Sequence, residues 1–173
     1  MKAAIQKIIL IIVMVTCSNN IFAAQTITSI VEFFSFSCGH CLNAEPVLME
    51  VLQKTNASYI PIIVPSDGDS VGTAMIYYAS VKKGFGWQFR SAYWRALQNG
   101  AKPNSPDTAI AVLNQITNNP GEILAYAKSQ DVQTKIALDV QMIKKYKVNS
   151  TPTFIINDQY QLDGEDALNS FLK

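Results

Sequence analysis

Cys38, Gly39, His40 and Cys41 stand together in the chain, two thiols separated by two residues with an imidazole between them. The segment before them, Ile30 to Phe36, is apolar and aromatic apart from Glu32 and Ser35, and reads as a buried strand. The segment after them, Leu42 to Lys54, repeats Ala44, Val47, Leu48, Val51 and Leu52 at helical spacing. Cys38 therefore falls where a strand turns into a helix. A thiol there faces free backbone N–H groups and the positive end of the helix dipole, and both favour thiolate over thiol. Cys41 lies one turn inside and is expected to be buried, while His40 would add positive charge near Cys38. A stabilised thiolate is a good leaving group, so a Cys38–Cys41 disulfide would be readily reduced and would oxidise other thiols.

Other chemistries fit less well. A zinc site needs about four ligands, and two thiols with one imidazole between them would need carboxylates to complete it. A c-type haem site needs histidine directly after the second cysteine, where Leu42 stands. A purely structural disulfide across a two-residue loop would add little entropic stabilisation. No metal or cofactor is therefore expected.

The elements that must position these residues follow from periodicity. Tyr59 to Val64 is a second apolar run, and Pro61 within it fits a strand start or a sheet edge. Strand, helix and strand make a βαβ unit, with Pro46 expected to kink the helix. A run of helices comes next. Ser70 to Lys83 carries Val71, Met75 and Tyr78 on one face, and Trp87 to Asn99 ends at Gly100. Ser105-Pro106-Asp107 is a helix start, followed by Ala109, Val112, Leu113 and Ile116. Asn119-Pro120 opens a short helix, and Asp131 is expected to cap a long one with Val132, Ile136, Val140 and Ile143 inward. Thr153 to Ile156 and Tyr160 to Leu162 flank the hairpin signal Asn157-Asp158-Gln159, and Glu165 to Leu172 reads as a closing helix. The strands on either side of the helices need each other to bury their faces, which makes the helices an insertion.

Residues 1–23 read differently. Lys2 and Lys7 precede the apolar run Ile8 to Val15, and Ala23 and Ala24 follow polar Ser18, Asn19 and Asn20, the pattern of a cleaved secretory signal. Its removal takes two lysines, no acid and Cys17, leaving Cys38 and Cys41 as the only thiols. The whole chain has 173 residues, 14 basic and 13 acidic side chains, and 49% hydrophobic residues. That composition excludes a disordered chain, and the near balance of charge gives no footprint for nucleic acid.

The motifs carry a resemblance. Glu32-Phe33-Phe34-Ser35-Phe36-Ser37 leading into Cys38-Gly39-His40-Cys41, and Val148-Asn149-Ser150-Thr151-Pro152-Thr153-Phe154 followed by Asn157, Tyr160, Gln161 and Leu162, resemble the bacterial periplasmic DsbA-type thiol-disulfide oxidoreductases. The resemblance covers essentially all of the chain after the signal. It implies an α/β, thioredoxin-like fold with an inserted α-helical domain: residues 24–65 and 148–173 form the thioredoxin-like part and residues 66–147 the insertion. It makes Cys38 the attacking thiol and Cys41 the resolving one. Pro152 matches the family's cis-proline, leaving the Thr151 backbone free to pair with an extended substrate. Glu32 matches a buried acid; a poorly solvated carboxyl there favours its protonated form and could relay protons to Cys41. The family's lysine partner for that acid is missing, with Ser58 at the matching position. The family's first edge strand is missing or short.

Two departures bear on direction. Gly39 stands where the family usually has proline, and Cys-Gly-His-Cys resembles the eukaryotic protein disulfide isomerases. Thr151 resembles the bacterial disulfide isomerases. The expectation is a monomeric oxidase in the periplasm with some isomerase activity. It would act on reduced or unfolded secreted proteins and be reoxidised by a quinone-linked membrane partner. A disulfide isomerase or reductase, or a non-catalytic peptide-binding chaperone on the same fold, is the alternative. Trp87, Phe89, Tyr93 and Trp94 read as core of the helical part.

Overall fold

The computed structural model describes residues 26–66 and 68–171. Strand β1 (Ser29–Phe34) leads into helix α1 (Gly39–Thr55), and β2 (Ser58–Ile63) follows. Five helices come next: α2 (Gly68–Lys82), α3 (Gly86–Gln98), α4 (Pro106–Ile116), α5 (Pro120–Ala127) and α6 (Gln130–Lys145). The hairpin β3 (Thr153–Ile156) and β4 (Tyr160–Asp163) and the short α7 (Ala167–Phe171) close the chain. The thioredoxin-like arrangement is borne out. The proposed signal residues 1–23 lie outside the described part.

The sheet order is β2-β1-β3-β4, with β1 parallel to β2 and antiparallel to β3. Among the described residues β1 is the first strand. Pro61 sits in β2, at the sheet edge, where its missing N–H costs least. Central β1 is covered on both faces. Ile30 packs with Leu48, Val51, Phe154, Ile156 and Leu168 under α1 and α7. Phe33, with Ile62 and Ile155, meets Met142, Ile143 and Tyr146 at the end of α6. Helix α6 thus begins in the helical part and ends against the sheet. Phe34, Phe36, Cys41 and Ile63 join the same apolar cluster as Tyr77, Phe89, Tyr93, Trp94, Val112 and Leu113, so sheet and helices share a core.

Helix α1 holds Pro46 within its span, where the sequence placed it. Other expectations shift in detail. Ser129, rather than Asp131, caps α6: its Oγ accepts from the Val132 N–H at 3.4 Å, because a hydroxyl one residue before the helix reaches that donor. In α2 the buried set runs nearly all round the helix, from Ser70 to Ser80, while Val71 and Met75 are only half-buried, because α2 lies inside a ring of other helices. Trp87 is 37% exposed and stacks on Tyr59 with ring centroids 5.2 Å apart, outside the core that holds Phe89, Tyr93 and Trp94. The hairpin turn is as read: Asn157 and Asp158 both take positive φ, which these short polar side chains tolerate. The Asn157 amide also accepts from the Thr28 N–H at 2.8 Å and donates to Thr26 O at 2.8 Å, pinning the entry to β1. No helix among the described residues is long and apolar enough to cross a membrane.

Candidate active site

Cys38 is the N-cap of α1, in an extended conformation. Its Sγ accepts from the Cys41 N–H at 3.2 Å, one of the donors that a helix start leaves without a partner. As a thiol it also lies 3.2 Å from Thr151 O, to which it donates. Cys38 is partly exposed, whereas Cys41 is 0% exposed, and both are free thiols here. Burial pushes the Cys41 thiol far above the usual thiol range, and its contact with Cys38 adds to this. The pair is therefore asymmetric: an accessible sulfur held by a helix start, and a protonated one behind it.

Thr151–Pro152 is a cis peptide bond, as the resemblance implied. The loop is fixed on both sides. Pro152 O accepts from the Gly164 N–H at 2.8 Å, and Thr153 Oγ1 donates to Asp163 Oδ1 at 2.6 Å. Thr151 O is left facing Cys38. Between this loop and residues 64–66 a cleft of about 390 Å³ opens, with Cys38 on its wall.

His40 follows Cys38 by two residues, in the first turn of α1, and pairs with a carboxylate from the far end of the chain. Its side chain is 72% exposed, and Nδ1 lies 3.0 Å from Glu165 Oε2. Asn43 Nδ2 donates to the same oxygen at 2.8 Å. Those donors, Asn43 first and then His40, hold the Glu165 carboxyl below the usual carboxylate range. Glu165 was not legible as a site residue. It lies 125 positions from His40, and nothing local in the sequence links the two.

Glu32 is completely buried, which excludes a solvent path along the sheet edge. Its partner is not at Ser58, an exposed edge residue whose Oγ donates to Thr28 O. The partner is Arg90 on α3, also completely buried. Arg90 Nη1 donates to Glu32 Oε2 at 2.7 Å and Nη2 to Oε1 at 3.0 Å. Its other edge meets Glu45 of α1, with Nε 2.7 and 2.9 Å from the two carboxylate oxygens. Tyr59 OH donates to Glu32 Oε2 and accepts from Arg90 Nη1 at 2.6 Å, and Trp94 Nε1 donates to Glu45 at 3.3 Å. Burial works against the guanidinium charge, but Glu32, Tyr59 and Glu45 outweigh it and keep Arg90 protonated. Burial also pushes the Tyr59 hydroxyl upward, so it stays a donor. Sequence reasoning missed Arg90 because an arginine inside an aromatic helical run gives no sign of which face it takes. Among the described residues, no cluster of three or more His, Cys, Asp or Glu side chains gathers to hold a metal ion.

A family model described as thioredoxin matches residues 23–173. The thiol:disulfide interchange protein DsbA of Pseudomonas syringae pv. tomato is 29% identical over 140 residues, 78% of this chain and 64% of the relative. The chain thus spans a little under two thirds of that relative's length. A Pseudomonas aeruginosa DsbA variant superposes with a TM-score of 0.74 at 17% identity, covering 86% of this chain and 85% of that one. A Proteus DsbA in complex with a non-covalently bound peptide gives a TM-score of 0.68 at 16% identity, covering 83% of this chain and 84% of that one. With the cysteine pair at the head of α1 and the proline loop beside it, these similarities agree: the chain belongs to the thioredoxin family, where the proteins it is similar to are DsbA-type thiol-disulfide interchange proteins.

Proposed function

We propose that this protein is a periplasmic thiol-disulfide oxidoreductase that introduces disulfide bonds into reduced secreted proteins. The observation that carries the reading is Cys38 Sγ, placed against the Cys41 N–H and Thr151 O at 3.2 Å each, with Cys41 buried behind it. In the oxidised enzyme a substrate thiolate attacks Cys38. The Cys38–Cys41 bond breaks, its electron pair goes to Cys41, and Cys41 takes a proton. The substrate's second thiolate then attacks the mixed disulfide at the substrate sulfur, and Cys38 leaves with the electron pair. The substrate has lost two electrons and the enzyme has gained them. Reoxidation falls to a quinone-linked membrane partner. Thr151 and Pro152 hold the extended substrate, His40 supports the Cys38 charge, and Glu32 serves proton movement at Cys41. The protein works as a monomer after removal of residues 1–23, with residues 24–65 and 148–173 carrying the thiol site and residues 66–147 inserted between them.

The peptide bound by the Proteus DsbA supports a polypeptide substrate. Gly39 supports a softened oxidant: a side chain built there meets nothing within 4 Å, so the glycine is not demanded by space, and its effect is to loosen the loop. Equilibration with glutathione buffers tests the direction. The expected potential is roughly −120 to −200 mV, and a value near −270 mV makes the protein a reductase. Absence of any turnover of model dithiols leaves only a peptide-binding chaperone.

A further inference from the structure

Beside Cys38 lies a hydrogen-bonded layer that the thiol exchange does not use. Ser35 and Ser37 flank Phe36 just before the helix, with their hydroxyls 2.9 Å apart, and the Ser37 N–H donates to Ser35 Oγ at 3.3 Å. Asn104, from the turn between α3 and α4, lies against them. Its Nδ2 donates to Ser37 Oγ at 3.0 Å and reaches Ser35 Oγ and Ser66 Oγ at 3.5 Å. Asn104 takes a φ of 50°, a left-handed conformation that asparagine tolerates, and its neighbour Ser105 is tied to Tyr93 OH at 3.1 Å. The amide is thus held by its backbone as well as by its partners.

Asn104 is 5% exposed, yet its Oδ1 has no hydrogen-bond partner. Its three partners are hydroxyls, which donate or accept, so turning the amide over would leave its nitrogen short instead. Either way one polar atom of the amide is committed to the serines, and through them Asn104 fixes the wall beside Cys38. The three serines line the cleft of about 390 Å³ that also includes Cys38 and Thr151. Val64, Pro65 and Val148 supply its apolar wall. Cys38 and Thr151 lie on the wall of the same cleft, so a side chain beside a cysteine joined to Cys38 has this space within reach.

We propose that the Ser35–Ser37–Asn104 layer is a specificity subsite, which selects substrates carrying a short hydrogen-bonding side chain (serine, threonine or asparagine) beside the reacting cysteine. This rests on the thiol-exchange reading above and names the class of polypeptide it acts on. The short polar side chain reaches the Ser35 and Ser37 hydroxyls, which the Asn104 amide holds in place, while its carbon atoms touch Val64 and Val148. Leucine in the same place would strip water from the hydroxyls and return no hydrogen bond. The reaction is unchanged: the peptide thiolate bonds to Cys38 Sγ, and the electron pair of the broken disulfide goes to Cys41 with a proton.

The test uses oxidised protein and two single-cysteine peptides that differ only in having serine or leucine on both sides of the cysteine. Each rate of mixed-disulfide formation is divided by the rate of the same peptide with glutathione disulfide, which removes intrinsic thiol reactivity. The normalised serine-to-leucine ratio is expected to be about ten in the wild type, the size of one lost hydrogen bond to a buried group. Asn104→Leu, and Ser37→Ala at an exposed position where folding is not at stake, are each expected to bring the ratio toward one. A wild-type ratio of one or below overturns the inference, as does a ratio unmoved in Ser37→Ala. Oxidation of dithiothreitol by the wild type separates the two readings: turnover with a flat ratio removes the subsite alone, and no turnover removes both.

Discussion

Arg90 on α3 holds Glu32 of the central strand through two hydrogen bonds of 2.7 and 3.0 Å, with both side chains completely buried. The guanidinium face lies 4.2 Å from the centre of the Phe34 ring, and its remaining edge grips Glu45. One cation therefore ties β1, α1 and the helical part together. A buried fork of this kind is satisfied only as a set, because each carboxylate left alone would be a charge without water.

Arg90→Met is expected to lower the unfolding free energy by about 3–5 kcal/mol, the cost of leaving a buried charge uncompensated. Arg90→Lys should recover only part of this, since an ammonium cannot fork to two carboxylates. Pairing Arg90→Met with Glu32→Gln should restore stability relative to Arg90→Met alone. Urea denaturation of the four proteins checks it; equal midpoints for wild type and Arg90→Met would show that the fork contributes nothing.

The two thiols should alkylate very differently. Iodoacetamide at neutral pH is expected to label Cys38 and spare Cys41, whose thiol is held protonated by burial and by its contact with Cys38. In Cys38→Ala the remaining thiol should react roughly 100-fold more slowly than Cys38 does in Cys41→Ala. Peptide mapping of the labelled protein decides, and preferential labelling of Cys41 reverses the roles.

Gly39→Pro should be accepted and stabilising. Gly39 is the first residue of α1, where an N–H has no helical partner, and Cys38 before it is already extended at φ −97° and ψ 108°. Nothing lies within 4 Å of a side chain built there. A gain of about 0.4–1 kcal/mol is expected from the stiffer unfolded chain. Thermal unfolding measures this, and the glutathione equilibrium of the same variant should shift toward the stronger oxidant.

His40 and Glu165 should act on the potential in opposite directions. His40→Ala removes a group that can be positive near Cys38 and should weaken the oxidant. Glu165→Gln removes a negative charge from the same cluster and should strengthen it. Both side chains are on the surface, so the unfolding midpoint should barely move. Shifts of the same sign in both variants would mean that the pair sets geometry rather than charge.

Asp139 gives the pH dependence a definite sign. Burial pushes its carboxyl above the ordinary range, with Lys135 at 2.5 Å and Tyr78 only partly offsetting it. In that range the folded state holds a proton that the unfolded chain has released, so this group's contribution falls as pH rises from the ordinary aspartate value through the raised one. Stability of the wild type relative to Asp139→Asn should therefore increase as pH is lowered from neutral toward 4. Denaturation curves at three or more pH values settle it; the reverse slope would mean that Lys135 outweighs burial.

The sequence by itself determined whatever depends on neighbours along the chain. Cys38 at a helix start follows from an apolar strand running into a helical repeat, and the Ser105-Pro106 helix start and the Asn157-Asp158 turn are local choices of backbone angle. Pro61 on an edge strand follows from its missing donor. The resemblance carried by Thr151-Pro152 added a cis bond that periodicity could not supply. Only the tertiary structure decided which distant charge each site residue meets. Glu32 finds Arg90 58 positions away, His40 turns to Glu165 across 125, and Asn104 reaches Ser37 across 67. A side chain's partner across the fold depends on how helices pack against the sheet, and that packing is set by the whole apolar core at once. Ion pairs and hydrogen bonds then form between whichever polar groups the core brings within reach, and no local pattern in the chain records them.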